Sequence, residues 1–423
     1  MDDSIRRPAL FDGGGADTAR IEGKSRRSLR GLDWFVFFVA DVQTGFGPFI
    51  AVYLTTQKWT QIDIGFVLTV GGLISLFGQI PGGALLDAIK APRRAAGVAV
   101  VVIAFSALLL ALWPTYLGVM LSRILQAAAS CILGPAIAAL SLGLVPRSAA
   151  GERFGRNASF ASIGTGLAAA AMGLCGYYLS NQAVFFFTAA LGIPAVIALL
   201  QIRPKEISVA RSHGGERNRL PRLRDVLTYT AAHPAIFIFA FCVFLFHLAN
   251  AAALPLIANS FTQRSSTTAS ALIAVAMIVP QFCVAVCSPF VGRSAQSVGR
   301  RPLLLAGFIA LLVRLTLIAF ATDPAWIIAI QVLDGISAAT LGVLVPLVLA
   351  DLTRNTGRFN LAQGIVGCAM GIGATISTTM AGFLADRFST FTAFIGLGVA
   401  AGIGLLVIWL AMPETREEEE DDK

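Results

Sequence analysis

The sequence predicts an all-α membrane protein: twelve transmembrane helices in two pseudo-symmetric six-helix bundles, with the N and C termini cytoplasmic. Three observations carry this. The first is composition: 56% of the 423 residues are hydrophobic and only 13% are charged, against roughly 25% charged in a soluble domain. The second is that Lys and Arg fall in alternate connections between apolar runs. The third is a set of short stretches that recur about half a chain apart.

The apolar runs lie at about 34–56, 64–86, 95–113, 117–144, 158–179, 183–202, 235–259, 269–291, 303–321, 325–349, 362–384 and 391–411. Each is close to the ~20 residues that a helix needs to cross ~30 Å of hydrocarbon. Backbone groups in lipid must bond within the segment, and a β-barrel would show shorter alternating runs, so these are read as helices. The first run follows a polar stretch with no short apolar core and A-x-A site, so it is expected to stay as a helix and not leave as a signal peptide.

Before it, residues 1–31 form a basic tail with Arg6, Arg7, Arg20, Lys24, Arg26, Arg27 and Arg30. Gly23-Lys24-Ser25 resembles the end of a phosphate loop, but Thr18 stands where that loop needs glycine and no strand precedes it, which excludes nucleotide binding there. Further bases fall in the second connection (Lys90, Arg93, Arg94), the fourth (Arg147, Arg153, Arg156) and the sixth, where seven bases crowd residues 203–234. The eighth (Arg293, Arg300, Arg301), the tenth (Arg354, Arg358) and the C-tail (Arg416, Lys423) complete 27 of the 32 bases. The odd connections hold only Lys58, Arg264 and Arg387. Positive charge stays inside, so this alternation sets an even helix count and cytoplasmic ends. It also places the net charge of +8 along a membrane surface and not on a nucleic-acid-binding face.

The expected organisation is a cytoplasmic N-tail (1–31), an N-terminal bundle (32–202), a cytoplasmic linker (203–234), a C-terminal bundle (235–412) and an acidic C-tail (413–423). The six cysteines, at 131, 175, 242, 283, 287 and 368, all sit in apolar runs and read as reduced packing residues. Cys283 and Cys287 share a helical face, where packing is favoured over a soft-metal pair. Neither a metal centre nor any other cofactor is expected.

The repeat shows first in two hairpins. Pro81–Arg94, PGGALLDAIKAPRR, closes the second run, and Pro289–Pro302, PFVGRSAQSVGRRP, closes the eighth. Gly83 and Gly292 are 209 residues apart; Arg123-Ile-Leu-Gln126-Ala127 and Gln331-Val-Leu-Asp334-Gly335 match at an offset of 208. Two stretches at one offset indicate an internal duplication with parallel halves.

These residues resemble the major facilitator superfamily (MFS) over 32–412. Its signature between helices two and three, G-x-x-x-D-(R/K)-x-G-R-(K/R), is matched by Gly83 and Asp87, with Ala88 and Lys90-Ala91 departing from it and Arg93 and Arg94 displaced. The second copy keeps Gly292, Gly299, Arg300 and Arg301, with Gln296 for the acid. Arg123 and Gln126 fit the fourth-helix R-x-x-Q-G. The fifth helix, GTGLAAAAMG, lacks the antiporter signature. The resemblance implies a secondary active transporter working by alternating access, whose hairpin residues Gly83, Asp87, Arg93, Arg94, Gly292, Arg300 and Arg301 gate the cytoplasmic side. It implies no enzyme, and a coupling role for Arg123.

Charged side chains in hydrocarbon cost roughly 2.5–3.5 kcal/mol even on the lenient insertion scale, so each is a functional candidate. Asp41, His247 and Asp334 are the proton-coupling candidates, since desolvation raises a carboxylate toward neutrality and histidine titrates near physiological pH. Gln43, Arg123, Gln126, Asn250 and Gln281 are the substrate-cavity candidates. Arg314 and Asp334 lie at matching depths in adjacent helices and are expected to form a structural ion pair. The leading function is proton-coupled efflux of a small amphipathic molecule; uptake of a small organic anion through Arg123 is second. A lipid scramblase or membrane enzyme would need an interfacial catalytic cluster, and a sensor a folded soluble domain. The expected partners are a small-molecule substrate, protons and the bilayer, with no nucleic acid. The chain is expected to act as a monomer in the cell membrane, the inner membrane in a bacterium.

Overall fold

A computed structural model describes residues 26–44, 48–89, 91–215, 226, 228–229, 232–264 and 266–416. Most of the N-tail, the middle of the linker, Lys90 and the acidic run from 417 lie outside the described residues. Among those described there are helices and turns and no strand.

The first half opens with α1 (Arg26–Thr44) and α2 (Pro48–Thr56). α1 starts ahead of the polar boundary at residue 31, because helical hydrogen bonding does not stop at the hydrocarbon edge. α3 (Gln61–Ala88) and α5 (Tyr116–Leu144) start where the hydroxyls of Thr60 and Thr115 accept from the N–H groups of Asp63 and Gly118, each satisfying an orphan donor of the first turn. α4 (Pro92–Leu112) begins with proline, whose missing N–H costs nothing at that position. α6 (Ala150–Tyr178) and α7 (Ala183–Gln201) complete the half.

In the linker, Val209–His213 form one short helix, α8. Gly214 ends it at φ 74°, a left-handed conformation that favours glycine.

The second half comprises α9 (Pro234–Asn250), α10 (Ala253–Arg264), α11 (Ser266–Ser297), α12 (Arg300–Phe320), α13 (Pro324–Leu352), α14 (Phe359–Arg387) and α15 (Thr390–Ala411). The run expected at 235–259 is broken between α9 and α10. Pro255 cannot donate to the Ala251 carbonyl and its ring crowds it. The Ser377 hydroxyl takes up the freed N–H of Ala252 at 3.1 Å. Eleven helices among the described residues, with α9 and α10 counted together, are long and apolar enough to cross a membrane. α1 and α2 flank residues 45–47 where the remaining span is expected.

One apolar core fills the first half, built from residues such as Leu32, Phe35, Val100, Leu133 and Phe185. The other fills the second half and reaches across to Ala84, Ala138, Leu142, Ala150 and Phe154. α13 also touches α6 and α14 touches α5, and the most extensive joins between the halves are α3 with α14 and α6 with α11. Both depend on missing side chains. A Cβ on Gly83 would overlap the Asn360 carbonyl, and one on Gly364 the Gln79 carbonyl. On the other flank Gly151 meets the Gly292 carbonyl and Gly155 the Ser288 carbonyl. Such glycines let backbones approach to van der Waals contact where no hydrophobic force separates helix from lipid.

Candidate functional site

Between the halves lies a cavity of about 570 Å3. α1 contributes Val36, α3 Gln79, α6 Asn157, α9 His247, α13 Pro346 and α14 Gln363, so both halves wall it. Its surface is mainly apolar with a few amide and imidazole groups, the pattern of a small-molecule site. Asn157 is already engaged: its amide donates to Ser141 at 2.6 Å and its carbonyl accepts from Arg153. His247 is not, and its Nε2 is buried with no hydrogen-bond partner. Of the coupling candidates whose side chains are described, His247 lines this cavity and Asp334 does not. The Asp41 side chain lies outside the described residues; its backbone belongs to α1. Gln43 is half-buried on the same helix.

Arg123, 9% exposed, packs against Gly71 of α3 and donates to Gln126 at 2.7 Å; Gln126 donates to Ser130 at 3.0 Å. Its Nε has no partner. Among the described residues no carboxylate pairs with it. In the second half, Arg314 of α12 is 1% exposed and lies 2.9 Å from Asp334 of α13. It also donates to Gln331 at 3.0 Å and to the Asn250 side chain. The contact to Asp334 is an ion-pair contact and not an aligned hydrogen bond, since Oδ1 accepts none. Asn250 therefore serves Arg314, and Gln281 joins the halves: its carbonyl oxygen accepts from Ser162 of α6 at 2.9 Å.

The gate candidates separate into two groups. Asp87 is 3% exposed and caps the start of α14: it accepts from the Asn360 N–H at 3.2 Å, the Asn360 side chain at 2.7 Å and the Leu361 N–H at 2.8 Å. A carboxylate at a helix N-terminus satisfies orphan donors and meets the positive end of the dipole. Arg93 is not brought to Asp87. It caps the far end of α7, donating to the carbonyls of Leu199 and Leu200 at 3.0 and 3.2 Å. Arg94 is exposed.

The second hairpin finds its acids elsewhere in the chain. Arg300 binds Asp351 at 2.9 Å, and the Glu414 carboxylate accepts from the N–H groups of Arg300 and Arg301 at 2.9 and 3.0 Å. Burial pushes the Glu414 carboxyl up, but four backbone N–H donors outweigh this and hold it below its usual value. Arg301 also donates to the Trp409 carbonyl, so the last turn of α15 and the segment after it are both strapped to this hairpin.

Sequence reasoning missed three further features on this side. Asp33 of α1 binds Arg153, and Arg156 at 2.7 Å, at the start of α6. Asn360 is the partner of Asp87. The linker also docks: Ser208 donates its N–H to Gly143 at 2.9 Å, and Arg211 reaches the carbonyls of Leu142 and Gly143. Asp33 closes the polar stretch before the first apolar run, a usable signal; nothing local marks Asn360 or the linker.

The Major Facilitator Superfamily model matches residues 34–260 and 236–423. The chain belongs to this family. An uncharacterized MFS-type transporter of Mycobacterium tuberculosis is 35% identical over 398 residues, covering 92% of this chain and 94% of that protein. The class H tetracycline resistance protein of Pasteurella multocida is 27% identical over 169 residues, 39% of this chain and 40% of that one. Among solved structures, the MFS transporter FucP in the outward conformation superposes with a TM-score of 0.71 at 15% identity, covering 90% of this chain and 97% of that one. The fold is thus that of MFS transporters, multi-pass and membrane-embedded proteins that bind small-molecule substrates.

Proposed function

We propose that this MFS transporter exports a small amphipathic molecule in exchange for protons, by alternating access. The observation that carries this is the pairing of a cavity walled by both halves with contacts that join the halves on the hairpin side: Asp87 to α14, and Ser159 of α6 donating to the Ala285 carbonyl of α11 at 2.6 Å. With the termini in the cytoplasm, this arrangement is the state closed to the cytoplasm. The apolar wall favours an amphipathic substrate, and the partial likeness to tetracycline resistance proteins supports export. Uptake of an organic anion is the weaker reading, because Arg123 packs against α3 and is not among the residues that wall the cavity. One chain encloses the whole cavity, which supports a working monomer, and the bacterial relatives support the inner membrane.

Asp41 and His247 are the proposed proton carriers. Proteoliposomes containing the purified chain test this with tetracycline and ethidium as probes and a pH-sensitive dye inside. Probe movement should drive proton flux, and an imposed pH gradient should accelerate it. Asp41→Asn should abolish the coupling, a loss of at least about tenfold. Probe movement indifferent to the gradient removes proton coupling, and full coupling in the variant removes Asp41.

A further inference from the structure

We infer that His213 in the linker is a proton-binding residue, which in its doubly protonated form clamps the two halves together on the hairpin side. The inference rests on the alternating-access reading above. His213 is 0% exposed and sits in α8, and among the described residues its ring nitrogens meet carbonyl oxygens. Its Nδ1 is 2.7 Å from the Val209 oxygen; its Nε2 is 3.2 Å from the Leu86 oxygen and 3.0 Å from the Ile89 oxygen. A carbonyl only accepts hydrogen bonds. A neutral imidazole has one N–H and one lone pair, so one of its nitrogens would direct a lone pair at a carbonyl oxygen within 3.2 Å. Two N–H groups satisfy all three oxygens. The positive charge also lies where α3 ends, facing the negative pole of that helix.

The same linker segment holds both halves. Arg211 and Ser208 bind the end of α5. The Ser212 carbonyl accepts from the Asn360 side chain at 3.2 Å, and the Gly214 carbonyl accepts from the Gly357 N–H at 3.4 Å. Opening this side pulls α3 from α14, and the linker must release one of them.

The charged groups around the ring are few. Arg211 lies on its own helix with its guanidinium on α5 carbonyls. α3 presents Asp87, which interacts with the ring electrostatically and is bonded to Asn360 and Leu361. α5 presents carbonyls and α14 the neutral Asn360. Arg147 and Asp351 wall the adjoining crevice with Arg211 and Gly214, and Arg358 stacks on Tyr229 at 5.2 Å. Lys90, next to Ile89, lies outside the described residues.

The sign follows. The clamp holds its proton in the closed state, so it is complete at low cytoplasmic pH and is lost as pH rises and the ring gives up its second proton. A cell whose interior turns alkaline would release the clamp.

Spin labels on two exposed residues of the hairpin side, Ser148 and Val298, report the opening as a distance, in a background with the six native cysteines replaced. In the otherwise unchanged chain the ratio of separated to closed populations should rise with pH, by up to about tenfold per unit. His213→Gln should flatten that dependence. The same slope in the variant overturns the inference. Nitrogen NMR on unaltered protein labelled at its three histidines gives an answer that needs no variant fold. Two protonated ring nitrogens at about pH 6 support the clamp, and a neutral buried ring there overturns it. Labels that stay together at every pH would contradict alternating access itself, and the NMR result would still decide His213.

Discussion

Replacing Asp87 with alanine is expected to unlock the hairpin side. Three donors at the start of α14 lose their acceptor, the N–H groups of Asn360 and Leu361 and the Asn360 amide. A buried donor left unsatisfied costs about 1–3 kcal/mol, which is enough to move a balanced two-state equilibrium by more than tenfold. Hydrogen exchange in residues 359–364 should accelerate by at least about tenfold. Asp87→Asn keeps the shape and one acceptor oxygen, so its effect should be intermediate. Asn360→Ala removes only the side-chain bonds and leaves two backbone bonds to Asp87, so its effect should be smallest. If Asn360→Ala loosened α14 more than Asp87→Ala, the cap would not be the main element of the latch.

The second large effect is expected at Arg314. Its guanidinium is 1% exposed, donates to Gln331 and Asn250, and lies 2.9 Å from the Asp334 carboxylate. Arg314→Leu strips the Asp334 carboxylate of its counter-charge, and breaking a buried pair from one side costs about 3–5 kcal/mol. Asp334→Asn should cost less, because the carboxylate is 19% exposed and Arg314 keeps two neutral acceptors. The double variant Arg314→Leu/Asp334→Leu should recover much of the loss. Thermal unfolding of purified protein in detergent reads this order. Equal losses that simply add would show that the two charges do not act as a pair. A mild Asp334→Asn that also abolished proton coupling would instead make Asp334 a carrier.

These two clusters also mark how far the sequence reaches. The fold was legible because hydrocarbon thickness, base alternation and a repeat near 209 residues are long-range constraints written in local composition. The Arg314–Asp334 contact was legible because depth along two adjacent helices can be counted. The role of Arg93 was not. Its place next to the hairpin acid suggested a gate, but its reach onto α7 depends on how α4 and α7 pack. Gln296 marked the second hairpin as lacking an acid, and the chain supplies Asp351 from α13 and Glu414 from the segment after α15. The docking of α8 was hidden for a related reason. A basic, glycine-containing linker looks like a free tether, and only the carbonyl ends of α3 and α5 give His213 and Arg211 something to bind.

The central claim is that the halves must part on the hairpin side once in every transport cycle. Ser159 and Ala285 face each other across the α6–α11 contact on that side. With cysteines at both positions and the native six replaced, a short thiol cross-link should stop probe transport in proteoliposomes, and reductant should restore it. Undiminished transport by fully cross-linked protein would contradict the account.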